Sequence, residues 1–186
     1  MTPLRDPENT ILYVKRLAES DKRTEIRLNA NGGNSILVVC EPERELDFIK
    51  AIYEHMKEES YRIIDLNDLL NKFIEQNRDD LEVSFKLLKS SVNQIFKTPE
   101  GEQGSDLFGL ITESIKDSLA TGKIPVVIHS GALYGSDIDN IHLMESEYIM
   151  NATLPLIILY PATKENETLM FLSKRPASRY RCMVID

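Results

Sequence analysis

The chain has 186 residues, 42% hydrophobic and 28% charged, the composition of one globular domain with enough apolar material for a sizeable core. Its net charge of −8, from 22 basic and 30 acidic side chains, argues against broad nucleic-acid binding, whose affinity comes mainly from Lys and Arg on phosphates. No apolar run approaches the roughly 20 residues of a bilayer crossing, and Met1-Thr2-Pro3-Leu4-Arg5-Asp6-Pro7 lacks the apolar core of a signal peptide; the expected location is cytoplasmic, with no membrane partner.

In chain order, Glu8 to Ser20 reads as a helix with Ile11, Val14, Leu17 and Ala18 on one face and Asn9 or Thr10 as its cap. Thr24–Asn29 alternates weakly around Ile26 and Leu28, as an edge strand or an extended linker would, and Asn31-Gly32-Gly33-Asn34 is a turn. Ser35–Cys40 is apolar on both faces, as in the centre of a parallel sheet. Glu43 to Lys57 follows as a helix burying Leu46, Ile49, Ile52, Tyr53 and Met56, then Tyr61–Asp65 as a second strand. Leu66 to Leu119 is almost wholly helical, with one stripe of Leu66, Leu69, Leu70, Phe73 and Ile74 and a second of Leu81, Phe85, Leu88, Val92 and Ile95. The loop Thr98–Gly104 interrupts it, Ser105 is a natural N-cap for the helix beyond, and Gly122 its stop.

Ile124–Ile128 is the next strand, followed by the loop Ser130–Gly135, a helix from Asp137 to Met150 and the strand Leu154–Tyr160. The turn Lys164–Thr168 leads to Leu169–Leu172 as an antiparallel partner, and Arg181–Ile185 is the final strand. These elements predict a single α/β domain over residues 1–186. Residues 1–33 form an N-terminal helix and linker, residues 34–161 the parallel core, and residues 162–186 a C-terminal antiparallel strand pair. The predicted architecture is an open, mostly parallel sheet of three or four strands with helices on both faces.

Ligands of open α/β sheets bind beyond the carboxyl ends of the strands, which directs attention to three places. After the first strand, Cys40-Glu41-Pro42-Glu43-Arg44-Glu45 puts three carboxylates where a phosphate-binding loop needs glycines and a lysine. Glu41 beside Cys40 works against a thiolate nucleophile, so both Cys40 and Cys182 read as small buried hydrophobes, reduced in the expected compartment. Asp65 can cap the next helix or act as a ribose-binding acid. The loop Ser130-Gly131-Ala132-Leu133-Tyr134-Gly135 precedes a helix, so Ser130, Gly131 and Gly135 are candidate anion- or cofactor-binding positions, or simply permit a tight turn. His129-Ser130 does not match the G-x-S-x-G elbow, and His129, Asp137, Asp139 and His142 lack ligand spacing. No catalytic residue, metal or cofactor is assigned. Lys174-Arg175-Pro176-Ala177-Ser178-Arg179-Tyr180-Arg181 is basic within an acidic chain. Arg175, Arg179, Tyr180 and Arg181 are candidate partner-binding residues, or part of a solvated loop whose arginines pair with the chain's own carboxylates.

The strand Ser35–Cys40 with Glu41-Pro42, the loop Ser130–Gly135, the strand Leu154-Pro155-Leu156-Ile157-Ile158-Leu159-Tyr160-Pro161, and Phe171-Leu172 with Tyr180-Arg181 together resemble the BrxB family, small components of the bacterial BREX phage-exclusion systems. The resemblance covers roughly Asn34 to Val184. It implies a non-catalytic cytoplasmic subunit working beside PglZ, a phosphatase-like BREX protein, and a DNA methyltransferase, with no catalytic residues to transfer. The leading expectation is an interaction subunit that binds a PglZ-like protein and other BREX components. The alternative is a nucleotide-binding regulatory switch with a degenerate P-loop-like fold using the Ser130–Gly135 loop; a small hydrolase is a third.

Overall fold

The computed structural model describes residues 6–19, 23–97, 106–166, 168–177 and 181–186. The helices are α1 (Pro7–Glu19), α2 (Arg23–Asn29), α3 (Glu45–His55), α4 (Leu66–Gln76), α5 (Arg78–Leu88), α6 (Leu107–Ala120), α7 (Asn140–Met144) and α8 (Glu147–Met150). The strands are β1 (Ser35–Cys40), β2 (Tyr61–Asp65), β3 (Ile124–Ile128), β4 (Leu156–Glu165), β5 (Thr168–Phe171), β6 (Arg175–Pro176) and β7 (Met183–Ile185).

Side chains alternate across each central strand and so feed two cores. Ile36, Val38, Val126, Ile128, Ile157 and Leu159 meet α1, α2 and α3 on one face. Leu37, Val127, Leu156, Ile158 and Tyr160 meet α4, α6, α7 and α8 on the other. The order is β2-β3-β4-β1-β7, all parallel. The first connection runs from β1 to the far edge over the α3 face, and the next two return strand by strand over the other. Reversing direction and face together preserves the hand of the crossovers.

The predicted class holds, with five parallel strands in place of three or four. β4 is ten residues long; its second half leaves the parallel ladder and pairs antiparallel with β5, which pairs with β6. Tyr160 stacks on Phe171 at 4.7 Å where the two sheets meet. The final strand is a correction: β7 lies parallel to β1 on the sheet's outer edge and not in the antiparallel pair, because Met183 and Ile185 complete the α1/α2 core there.

Several local expectations also shift. Residues 24–29 are helical, since Ile26 and Ala30 are buried one turn apart while Leu28 is 80% exposed. In α3 Ile49 and Ile52, with Met56 just beyond, are buried as expected and are joined by Phe48 and Ala51, whereas Leu46 and Tyr53 point outward. Asp6 rather than Asn9 or Thr10 caps α1, accepting from the Asn9 N–H at 3.0 Å. Asp106 caps α6 through the Gly109 N–H at 2.7 Å. Ser105, the loop 98–104 and the Val92 side chain lie outside the described residues. The second stripe breaks at Lys89, whose φ is 44°, leaving Leu81 buried and Phe85 largely exposed. The Asp137–Met150 helix is two short helices, because Asp137 takes a φ of 58° and Ser146 starts a new cap. Gly122 ends α6 as predicted, with φ 72° and its N–H on the Leu119 carbonyl at 3.0 Å. Asn34, read as a turn residue, is buried, and its Nδ2 lies 3.0 Å from each of the carbonyls of Ile149, Ala152 and Leu154, tying the approach to β4 onto the start of β1.

Candidate functional site

Three acidic or basic side chains converge where the parallel strands end. β2 finishes in Asp65, which caps α4 by accepting the Asn67 N–H at 2.9 Å. The same oxygen lies 2.9 Å from Nδ1 of His129, the residue after β3. A carboxylate only accepts, so this contact places the proton on Nδ1 and leaves Nε2 as the basic nitrogen. His129 holds a left-handed φ of 55°, uncommon among non-glycine residues though one that His adopts more readily than most. Beyond the end of β1 comes Glu45, the first residue of α3, with a buried Oε1 that has no hydrogen-bond partner among the described residues. Burial pushes the Glu45 carboxyl above its usual range; His129 opposes this and Asp65 adds to it.

An Asp–His pair is the orienting and basic half of a nucleophilic triad, but neither neighbouring hydroxyl nor thiol completes it. Ser130 is fully buried and its Oγ donates to the Leu159 carbonyl at 2.8 Å. The Cys40 thiol is pushed up to about 12, chiefly by burial and then by Glu45, so it is no thiolate near neutrality. Cys182 is likewise pushed to about 12 by burial and Glu145, and both cysteines are free and buried, as predicted. Among the described residues no three His, Cys, Asp or Glu side chains group as metal ligands. The Asp65–His129 contact joins the end of β2 to the end of β3, and with Glu45 close by the end of the sheet has an acidic face.

The glycine loop is largely self-satisfied. Ser130–Leu133 form a 310 turn; the Ala132, Tyr134 and Ser136 amides donate to the carbonyls of His129, Gly131 and Leu133 at 3.0–3.1 Å. A Cβ on Gly131 would meet Leu172 of the β5–β6 turn at 3.5 Å, ordinary contact, whereas Gly135 needs its φ of 86°. No helix starts directly after the loop. Asp139 precedes α7, and its N–H donates to His142 Nδ1 at 3.1 Å; burial, with Lys97, pushes His142 below its usual range, consistent with this acceptor role. Of the candidate cofactor positions, Ser130 is thus committed to the backbone of β4, and Gly131 and Gly135 serve the turn.

No family model matches the chain, and no curated protein or solved structure matches it either. The basic C-terminal segment is divided. Arg175 pairs with Asp139, as the solvated-loop reading expects. Arg181 lays Nε and Nη2 on the Asn31 carbonyl at 3.3 and 3.2 Å, and its N–H meets Glu145 Oε1 at 3.2 Å. Arg179 and Tyr180 lie outside the described residues. Sequence reasoning treated Asp65, His129 and Glu45 separately. Their convergence follows only once β2 and β3 are known to be neighbours, although the place of Asp65 and His129 at the ends of two strands was the available signal.

Proposed function

We propose that this chain is a non-catalytic interaction subunit of a bacterial phage-defence assembly of the BREX type, and that it holds a PglZ-like protein. The observation that carries the non-catalytic part is the Ser130 hydroxyl, buried and spent on the Leu159 carbonyl, in the loop best placed to bind a ligand. Glu41, Glu43 and Glu45 after β1 add to it, since they repel phosphate where a nucleotide-binding sheet would attract it. The assembly and the partner rest on the BrxB resemblance. In this reading the partner meets Arg179 and Tyr180, while Arg175 and Arg181 are engaged by Asp139 and the Asn31 carbonyl.

The experiment is co-expression with a PglZ-like protein from the same genome, followed by affinity capture. The intact chain retains the partner; Arg179→Glu weakens capture at low salt, and Tyr180→Ala weakens it at every salt concentration. Unchanged capture by the folded double variant overturns this face. The nucleotide-switch reading is tested in parallel. A true nucleotide ligand at 100 times its Kd adds about 2.7 kcal/mol, a Tm rise of roughly 5–11 °C for a domain of this size. No rise with millimolar Mg-ATP or Mg-GTP is expected, and a rise abolished by Gly131→Val reverses the assignment.

A further inference from the structure

The end of the sheet away from Glu45 has the opposite chemistry. Among the described residues β2 is an edge strand, paired with β3 alone. The Ile124 N–H donates to the Ser60 carbonyl at 2.8 Å, which fixes the parity of the parallel ladder: residues 60, 62 and 64 face β3, and Ile63 turns its N–H and C=O outward. Along this edge runs a cleft of about 650 Å³ lined by Tyr53, Met56, Tyr61 and Ile63, with Lys57, Arg62, Lys123 and the carboxylate Glu58 around it; Asp65 and Asp68 act on Tyr53 from the carboxyl end of the edge. Arg62 and Lys123 make no ion pair with any described acid. Among the described residues, Lys57 Nζ donates to the Tyr53 carbonyl at 3.2 Å. Tyr53 is 53% exposed beside this open backbone.

We infer that the β2 edge is a docking site for an extended, acidic segment of a partner protein, which adds as a strand beside β2. The outward groups of Ile63 supply the main-chain hydrogen bonds, the Tyr53–Ile63 floor takes apolar side chains from one face of the added strand, and Arg62, Lys57 and Lys123 select Asp and Glu. An unguarded edge invites self-pairing. A second copy brought edge to edge would set Arg62 and its neighbouring cations against their own images, so the charge favours an acidic partner over another copy of this chain. The inference is independent of the phage-defence reading, and its test uses a different surface and different reagents.

The probe is a capped seven-residue peptide alternating Glu and Val, with three companions: Lys for every Glu, and backbone N-methylation at the odd or at the even residues. The Glu peptide binds in fluorescence anisotropy at low salt and slows hydrogen exchange at the Ile63 amide. One N-methyl peptide loses binding and the other retains it, because a strand offers only alternate amides to its neighbour. Arg62→Glu with Lys123→Glu lowers affinity at least tenfold with unchanged circular dichroism. Equal binding of the Lys peptide, equal binding of both N-methyl peptides, or no binding of the Glu peptide each overturns the inference. So does concentration-dependent doubling of mass in sedimentation that is relieved by Arg62→Glu, which assigns the edge to a second copy.

Discussion

Replacing Gly33 with alanine tests how the last strand is held to the sheet. A Cβ built at Gly33 falls 1.8 Å from the carbonyl oxygen of Arg181 and 2.6 Å from its carbon, both backbone atoms. Reaching even the 3.0 Å floor of real Cβ contacts requires a retreat of about 1.2 Å just before β7. That strand is short and pairs only Met183, Val184 and Ile185 with β1, so it has little to hold it against such a shift. Undocking it exposes Met183 and Ile185, at about 1.5–3 kcal/mol each, which puts the expected loss near 3–6 kcal/mol, an upper range because the unfolded chain already buries some of this surface. Gly122→Ala is the control: its φ of 72° is strained for alanine, but nothing lies within 4 Å of the new Cβ, so only the backbone term of about 1–2 kcal/mol applies. The chain contains no tryptophan, so urea unfolding is followed by far-ultraviolet circular dichroism, with hydrogen exchange at residues 183–185 as the local readout. A Gly33→Ala cost no larger than that of Gly122→Ala would refute the close-approach argument.

Two further outcomes follow from the core and from the strand ends. Leu37 and Ile157 are fully buried on opposite faces of adjacent strands; Leu37→Ala and Ile157→Ala each cost about 2–5 kcal/mol, and urea melts showing under about 1 kcal/mol for both contradict the three-layer packing. Glu45 has a folded carboxyl pKa above its unfolded one. Its contribution to stability is therefore fully present below the unfolded value and lost as pH rises through the folded one. Glu45→Gln removes that loss: the variant is more stable than wild type near neutrality, and the gap closes as pH falls into the usual glutamate range. A gap that does not change with pH contradicts the assignment.

How much of this was legible in the sequence depends on the range of the interactions involved. β1, β3 and the first half of β4 are apolar runs buried on both faces, and such runs declare themselves without knowledge of their neighbours. The Asp65 cap and the Gly122 stop were equally legible, because a cap and its helix are adjacent in sequence. Residues 24–29 misled because the alternation of Ile26 and Leu28 fits a strand, while the pair that matters, Ile26 and Ala30, is one helical turn apart. The direction of β7 was illegible for a different reason. Met183 and Ile185 would be buried in either orientation, and only the open outer edge of β1 decides it. The Asp65–His129 contact spans 64 positions, and the roles of Arg181 and Asn34 also depend on distant backbone carbonyls that no local pattern marks.

Charge divides this sheet along its strands. At the carboxyl ends, Glu41, Glu43, Glu45 and Asp65 gather around β1, β2 and β3, with Ser130 and Cys40 sealed among them. At the amino ends of β2 and β3, Lys57, Arg62 and Lys123, with Glu58 among them, line an open cleft beside outward-facing backbone. In open α/β proteins the carboxyl end is the habitual ligand side, and here it is the side least able to receive an anion. A chain with net charge −8 repels acidic partners at long range, so an acidic segment must be drawn by a local field of the opposite sign. Such fields act through encounter rate and orientation more than through residence time. Residence on the β2 edge would instead come from main-chain hydrogen bonds and from apolar contact with Tyr53 and Ile63. Recognition built this way asks nothing of catalytic chemistry, and it leaves the carboxyl end to the Asp65–His129 contact that joins β2 to β3.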